Sequence, residues 1–497
     1  MLVSLDDLGY GQMNFDKRSF DPKTMENRKT VETYTISIAK AIEAAKKSTP
    51  TLNKLMSEGV KLTNGYVAHG VSGPSRAAIM TGRSPARYGV YSNIDAEEGI
   101  SLSETFLPEL FQNHGYYTAA IGKWHMSKIS SIKAPKNGRS RDYHDNYIQF
   151  SSEETQPQNR GFDYFMGFHN HGAAYYNSPA LFKNREQIKA VGYISDQFTT
   201  ESIGVVNRAK MLEQPFLLYL AFNAPHLPND APAPIQYQSK FNTGSPTADN
   251  FYASIYAADQ GLNRILEQMK KNGQYDNTMI LFTSDNGAVI DGPLPLNGAQ
   301  KGYKGQTTTG GTHTPMFIWY GGRLHQGSDY NKLVSAMDLF PTALDVAGIA
   351  VPNNLDGVSL LPYLQGDKKG NPHQNLYWMT SYPHHFDEGN IAFWNGYHKF
   401  IRYESDDYPF NPNTEALSEF SWTIRNNDFM LMYLEESGEY GMYKLNDLRQ
   451  EHNLIKMNPK TFVQMKEDMK KFIASTKKPN NPITLPKYER IKRSSLK

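Results

Sequence analysis

Seven consecutive residues, Phe216-Leu217-Leu218-Tyr219-Leu220-Ala221-Phe222, form a continuous apolar run that ends at Asn223-Ala224-Pro225-His226. A run without polar alternation has no side for water, so it predicts a strand covered on both faces, as in the middle of a parallel sheet. Two further stretches share the pattern. Met1-Leu2-Val3-Ser4-Leu5 runs straight into Asp6-Asp7, and Thr278 to Ser284 runs into Asp285-Asn286. In open α/β sheets, ligands gather beyond the carboxyl ends of the parallel strands. Two adjacent carboxylates at such an end repel each other and require a cation or basic neighbours. Asp6, Asp7, Asp285 and Asn286 together make an oxygen-only ligand set, which suits a hard cation such as Ca²⁺ or Mg²⁺. Taken alone, Asp6-Asp7-Leu8-Gly9 fits a solvated turn equally well.

A second stretch, Gly70-Val71-Ser72-Gly73-Pro74-Ser75-Arg76-Ala77-Ala78-Ile79-Met80-Thr81-Gly82, follows the strand-like residues 60–67. Pro74 suits a first helical turn, Ala77 to Met80 are good helix formers, and Gly82 suits the stop. Ser72 should stand at the start of this short helix, where free N–H groups and the helix dipole favour an anion. Arg76, one turn on, adds a fixed positive charge with planar hydrogen-bonding geometry. A hydroxyl, an anion-binding helix start and an arginine point to chemistry on a phosphate or sulfate ester. An ordinary helix cap explains the same residues on pattern alone.

Ser72-Gly73-Pro74-Ser75-Arg76 with Thr81-Gly82-Arg83 resembles the signature of the type I, formylglycine-dependent sulfatases of the alkaline phosphatase superfamily. Further segments extend the resemblance from Asp6 to Leu454. Among them are Asp6-Asp7-Leu8-Gly9-Tyr10-Gly11, Gly122-Lys123-Trp124-His125, Gly161-Phe162-Asp163-Tyr164-Phe165, Ala224-Pro225-His226-Leu227-Pro228, Asp285-Asn286-Gly287 and Asp338-Leu339-Phe340-Pro341-Thr342-Ala343-Leu344. The resemblance implies an α/β fold with a large, mostly parallel mixed sheet sandwiched by helices. It adds a small C-terminal antiparallel sheet with one helix. A composition shift after Gly366 places the expected boundary, with a catalytic domain over 1–366 and a C-terminal subdomain over 367–497. Within the C-terminal part, residues 392–401 and 442–445 are expected as strands, and Pro459 to Lys470 as the helix.

The resemblance also assigns roles. Asp6, Asp7, Asp285 and Asn286, with residue 72, are the expected ligands of one Ca²⁺ per chain. Ser72 is the position oxidised to formylglycine by a dedicated maturase; where a native enzyme carries cysteine there, serine would be its replacement. Arg76 would lower the pKa of the attacking hydroxyl, Lys123 and Lys304 would hold sulfate oxygens, His226 would protonate the leaving oxygen, and His125 would take the proton of the second hydroxyl. A chain whose Ser72 stays unmodified should bind sulfated substrate and not turn it over. His169 and His171 are candidate substrate contacts, with local packing as the competing explanation; His384, His385 and Arg425 are weaker ones. The loop Gly302-Tyr303-Lys304-Gly305 departs from the family where Thr309 replaces a Glu and His313 replaces an Arg, which questions the loop's support and hints at a carrageenan-type polysaccharide sulfatase.

Composition narrows the alternatives. Of 497 residues, 39% are hydrophobic and 21% charged, the formal charge is +2, and no apolar run approaches the ~20 residues of a membrane span. A field that recruits nucleic acid is not expected, and without cysteine there are no disulfides or thiolate metal sites. The first core strand begins at residue 1, so a secretory segment is expected to precede it in nature, with a periplasmic or secreted location. The enlarged 12–50 segment, the polar 127–159 loop and the His and Tyr residues at 169–176 are expected to wall a cleft for a sulfated glycan, with a surface decoration as the competing explanation of the 12–50 segment. The tail from Lys477, basic and proline-rich, is expected to be solvated. Two other functions stay open: a phosphatase or phosphodiesterase of the same superfamily, and a non-catalytic binder of sulfated glycans.

Overall fold

All three apolar runs are strands, and they lie side by side. The computed structural model describes the chain except residues 17–35, 134–145, 171, 173, 290–291, 325–326, 382–419, 435–437, 483–484, 486–487, 490 and 493–497. The strands of its main sheet are β1 (Leu2–Leu5), β2 (Val60–Leu62), β3 (Tyr117–Lys123), β4 (Tyr164–Phe168), β5 (Leu181–Lys183), β6 (Glu186–Ile188), β7 (Phe216–Ala221), β8 (Met279–Ser284), β9 (Met316–Tyr320) and β10 (Ser328–Tyr330). Their spatial order is β10-β2-β9-β8-β1-β7-β3-β4-β5-β6. From β8 to β4 every neighbouring pair is parallel, while β9, β5 and β6 run antiparallel to a neighbour. The mixed, mostly parallel sheet expected from the sequence is therefore present.

Register explains why the chemistry gathers at one edge. Leu5 pairs with Ser284, Ser4 with Ala221, Ala221 with Gly122, and Lys123 with Phe168. The residues that follow β1, β7 and β8, together with the last residue of β3, thus reach the same side of the sheet. Gly122 makes the close approach possible. With φ +109, a Cβ there would sit 1.9 Å from the Ala221 carbonyl oxygen.

The helices cover both faces. They include α1 (Ile38–Lys47), α2 (Pro50–Glu58), α3 (Ser72–Thr81), α4 (Asn93–Glu97), α5 (Leu107–Asn113), α6 (Ile194–Met211), α7 (Pro246–Lys271) and α8 (Leu339–Val346). Side chains alternate along β7. Phe222, just past its end, packs toward Phe198 of α6, whereas the Tyr219 hydroxyl accepts from Arg76 of α3 on the opposite face. Leu2, Val3, Leu218, Leu220, Ile280 and Phe282 share one continuous core between these layers. Helix α7 starts at Pro246, four residues before the sequence-expected start at Asn250, because Ser245 caps it by accepting the Ala248 N–H. Part of the amphipathic segment expected over 31–47 lies outside the described residues; α1 accounts for the rest.

A second, antiparallel sheet joins β11 (Leu376–Thr380), β12 (Ser421–Arg425), β13 (Phe429–Leu434) and β14 (Glu439–Lys444) in that order, with α9 (Pro459–Ala474) against it. Its core of Trp422, Ile424, Leu431, Met469 and Phe472 continues into Ala86 and Tyr91, from the segment that follows α3. The strand expected over 392–401 lies outside the described residues.

Two expectations are corrected. Segment 127–159 contains an antiparallel pair, Ile129–Lys133 with Ile148–Ser151, rather than loop alone. The start of the tail, Lys477 to Asn480, is docked rather than solvated, through the Lys477 N–H to Ala86 O at 3.0 Å, the Asn480 N–H to Gly89 O at 2.8 Å and the Tyr91 hydroxyl to Lys477 O at 2.6 Å. These are largely main-chain bonds, which residue composition does not report.

Candidate active site

Ser72 is the first residue of α3 and is wholly buried. The helix ends at Gly82, whose left-handed φ of 64 and N–H bond to Ala78 O make an ordinary glycine C-cap. The Ser72 hydroxyl lies 3.2 Å from Asp6 Oδ1, 3.2 Å from Asn286 Oδ1 and 3.4 Å from Lys123 Nζ. Residues from β1, β3 and β8 thus converge on the start of one helix.

Three buried carboxylates meet three basic groups around that hydroxyl. Arg76 gives Asp285 Oδ2 two bonds, from Nε at 3.0 Å and Nη2 at 2.8 Å, and its Nη1 reaches Lys123 O and the Tyr219 hydroxyl, each at 3.0 Å. Lys123 Nζ is 2.7 Å from Asp6 Oδ2. Lys304 Nζ lies 2.7 Å from Asp7 Oδ1 and 2.8 Å from its Oδ2. Burial disfavours ionisation of Asp6, but Lys123, His226 and Arg76 outweigh it and hold the carboxyl below its ordinary value. Asp7 behaves alike: burial is outweighed, chiefly by Lys304 and His226. Burial also opposes the charge on Lys304, and Asp7 and Asp6 more than compensate, raising its pKa.

Asp7 has φ 65, the left-handed region that a non-glycine residue enters only where its surroundings impose it. Its N–H donates to Asp285 Oδ1 at 3.1 Å, which ties the end of β1 to the end of β8. Asn286 uses its amide nitrogen on Asp7 Oδ1 at 2.8 Å and on Gly287 O, so its oxygen is the atom turned toward Ser72. The donor set is therefore three carboxylates, an amide oxygen and a hydroxyl, all oxygen, with three cationic side chains balancing the three negative charges. A hard divalent cation fits this chemistry, and the anion it would attract has Lys123 and Lys304 to meet it.

The candidate histidines differ in setting. His226 follows β7, its Nε2 3.8 Å from Asp7 Oδ2, and its backbone is fixed by the Tyr175 hydroxyl at 2.8 Å. Burial pulls its pKa down to about 4, with Lys123 and Lys304 adding and Asp6 and Asp7 opposing. His125 follows β3 with φ 61, and its Nε2 is 3.2 Å from Glu97 Oε1. His169 is a different case. Only 2% exposed, it lies between Phe182 at 3.9 Å and Phe165 at 5.6 Å, and burial lowers its pKa to about 3. An enclosed neutral imidazole cannot meet a sugar, so local packing accounts for His169. His171, His384 and His385 lie outside the described residues.

The departures near Lys304 have local replacements. His313 stacks between Tyr10 at 4.5 Å and Tyr66 at 4.6 Å, and its Nε2 lies 3.2 Å from Thr63 O. The Thr309 hydroxyl donates to Leu448 O at 3.2 Å. Arg425 is buried with its guanidinium 4.3 Å over the Tyr66 ring, so this arginine supports the stack and is not a sugar contact.

Three residues of the neighbourhood escaped sequence reasoning. Tyr219 hid inside an apolar run, though its even spacing from Ala221 and Asn223 on one face was readable. Asn223 is fully buried, and its side-chain amide has no hydrogen-bond partner among the described residues. Glu97 is twenty-eight positions from His125 in sequence, and nothing local announces their pairing.

Known proteins resemble this chain in sequence and in fold. The Sulfatase family model matches residues 2–349, and the model described as N-sulphoglucosamine sulphohydrolase, C-terminal, matches residues 308–411. The uncharacterised sulfatase YdeN of Escherichia coli (strain K12) is 68% identical over 496 residues, covering 99% of this chain and 88% of that protein. Human N-acetylgalactosamine-6-sulfatase is 30% identical over 334 residues, covering 64% of this chain and 61% of that enzyme's length. The crystal structure of Ps i-CgsB in complex with k-i-k-neocarrahexaose superposes with a TM-score of 0.72 at 25% identity, covering 99% of this chain and 96% of that one.

Proposed function

The chain belongs to the sulfatase family, and on that premise we propose that it removes sulfate from a sulfated carbohydrate, a polysaccharide or an oligosaccharide, at a centre built on Ser72. The observation that carries this reading is the convergence of Asp6, Asn286 and Lys123 within 3.4 Å of the Ser72 hydroxyl at a helix start. Asp6, Asp7, Asp285 and Asn286 would hold one calcium ion, whose charge would support an attacking oxygen and a sulfate oxygen beside it. Oxidised to formylglycine, residue 72 would supply a hydrated aldehyde, which can release sulfate where a serine sulfate would stay a stable alkyl ester.

The remaining work falls to this chain's own side chains. Arg76 is fixed at both ends, by Asp285 and by Tyr219, so its charge is preorganised beside Asp6 and the helix start. Lys123 and Lys304 bind the sulfate oxygens, exchanging part of their contact with Asp6 and Asp7. Burial chiefly depresses His226, with Lys123 and Lys304 adding to it; a sulfate seated between these ammonium groups offsets their part and raises the proton affinity toward what a general acid needs. His226 then donates to the leaving sugar oxygen, and His125 takes a proton from the residue-72 side.

The substrate class draws support from the neocarrahexaose bound to the 25%-identical structure and from the sulfated amino sugar in the human relative's name. The test is sulfate release, by ion chromatography, from carrageenan oligosaccharides, 6-sulfated N-acetylgalactosamine and 4-nitrophenyl sulfate, with matched phosphate esters alongside. Release from a sulfated sugar is expected. Good hydrolysis of the aryl sulfate with every sugar ignored would defeat the substrate class, and preference for phosphate would favour the phosphatase reading.

A further inference from the structure

We propose that Glu97 is a positioning residue that sets the tautomer and orientation of His125, and that α4 braces the residue-72 turn and this histidine together. The inference rests on the sulfatase reading above, in which His125 handles a proton.

Helix α4 is five residues long, yet it touches both partners of the reaction centre. Its Asn93 Oδ1 accepts the N–H of Gly73, the residue after Ser72, at 2.9 Å. A Cβ on Gly73 would lie 2.7 Å from Ala96 Cβ, 3.1 Å from Asn93 Oδ1 and 3.2 Å from His125 O. So α4, the Ser72 turn and the end of β3 press together at one point where only glycine fits. From the last residue of α4, Glu97 Oε1 reaches His125 Nε2 at 3.2 Å. A carboxylate at a helix C-terminus, followed by Glu98, opposes the helix dipole. Such a break with local preference is characteristic of a residue kept for a site.

The brace is itself anchored from behind. Asp95 accepts from the Tyr91 N–H at 3.0 Å, from the Ser92 hydroxyl at 2.8 Å and from the Asn481 N–H at 3.0 Å. Glu98 accepts from the Asn481 side-chain amide at 3.0 Å. On the other side, His125 is held in its left-handed conformation by its N–H bond to His169 O at 3.0 Å. An ionised Glu97 can only accept, so it requires the proton of His125 on Nε2. The lone pair then resides on Nδ1, and proton uptake there leaves an imidazolium that faces a carboxylate.

The test has two readouts. Long-range proton–nitrogen spectra of histidine-labelled protein with Ser72 intact should show His125, assigned by loss of its signals in His125→Ala, protonated at Nε2. In Glu97→Ala that preference should disappear. In protein coexpressed with a maturase, with 6-sulfated N-acetylgalactosamine and neocarrahexaose as probes, Glu97→Ala should lower kcat about tenfold or more and leave KM within about twofold. Introduced into His125→Ala, the same change should do nothing further. An unaltered His125 spectrum in Glu97→Ala overturns the proposal. So does an equal loss of kcat with and without His125, which a merely structural role predicts. Undiminished release by His125→Ala would instead overturn the reading beneath it, and the spectra would still decide the pairing.

Discussion

Replacing Asp285 by alanine removes the carboxylate that takes two hydrogen bonds from Arg76, at 3.0 and 2.8 Å, and one from the Asp7 N–H, at 3.1 Å. Arg76 and Asp285 are both fully buried, so the guanidinium would be left without its main partner in a place water does not reach. Breaking such a pair costs about 3–5 kcal/mol. Asp6, whose Oδ2 stays 3.7 Å from Arg76 Nη2, keeps the loss near the lower end. The orphaned Asp7 N–H adds about 1 kcal/mol. A total of about 4 kcal/mol is less than the roughly 5–15 kcal/mol that folded proteins typically possess, so the variant should fold and unfold earlier. At about 2 °C per kcal/mol the thermal midpoint should fall by roughly 8 °C. The measurement is thermal unfolding in chelator, so that only the ion pair is read, on Asp285→Ala, Arg76→Ala and the double variant. The double variant should lose about 2 kcal/mol less than the sum of the single ones, because each single change strands the other's charge. Additive losses, or an Asp285→Ala midpoint equal to that of the unaltered chain, would refute the reasoning.

His373 donates into a buried pair with Asp338, at 2.8 and 2.9 Å; burial opposes its charge, but Asp338 outweighs this and raises its pKa. That contribution is complete below the ordinary value of about 6.5 and is lost as pH rises through the raised one. The midpoint gap between the unaltered chain and His373→Leu should therefore be wider at about pH 5.5 than at about pH 9; an equal gap contradicts the pairing. Gly89 has φ +82, and a Cβ there would meet Lys478 O at 2.2 Å. Gly89→Ala should thus undock the tail and cost about 1–3 kcal/mol in denaturant unfolding. His169→Phe should leave the KM for a sulfated sugar within about twofold, since the ring only packs against Phe165 and Phe182; a large rise would restore the substrate-contact explanation. Elemental analysis should find one calcium per chain, removable by chelator with a fall in thermal midpoint; two zinc ions per chain would contradict the oxygen ligand set.

The strands that build the site were readable because a strand covered on both faces leaves an unbroken apolar run, and each run stopped where a polar residue began. Asp6 and Asp285 could be placed for that reason, since strand ends in register meet at one edge, whereas Lys123 was placed by the resemblance of Gly122-Lys123-Trp124-His125. Contacts made across the fold had no such trace. Glu97 reaches His125, and Asn93 reaches Gly73, only because α4 folds back against α3. Tail docking depends largely on main-chain groups that every residue carries, so a basic, proline-rich composition gave the wrong expectation there. His169 was a candidate substrate contact on its place in the sequence alone, with local packing as the competing explanation. Its strand-end position between two phenylalanines could be seen only once Leu181–Lys183 was paired beside Tyr164–Phe168. His313 was legible as a departure from the family but not as a stacked support, because Tyr10 and Tyr66 come from distant segments.

The central claim is that residue 72 works as an oxidised serine held by this oxygen and cation framework. Mass spectrometry of the peptide containing Ser72, joined to a sulfate-release assay on the same preparation, tests it most directly. Expressed alone, the chain should carry intact Ser72, bind a sulfated sugar and release essentially no sulfate. Coexpressed with a serine-type maturase, the peptide should lose the mass of two hydrogens, and sulfate release should begin in proportion to the fraction converted. Multiple turnovers from a preparation whose Ser72 peptide retains its full mass would contradict the account.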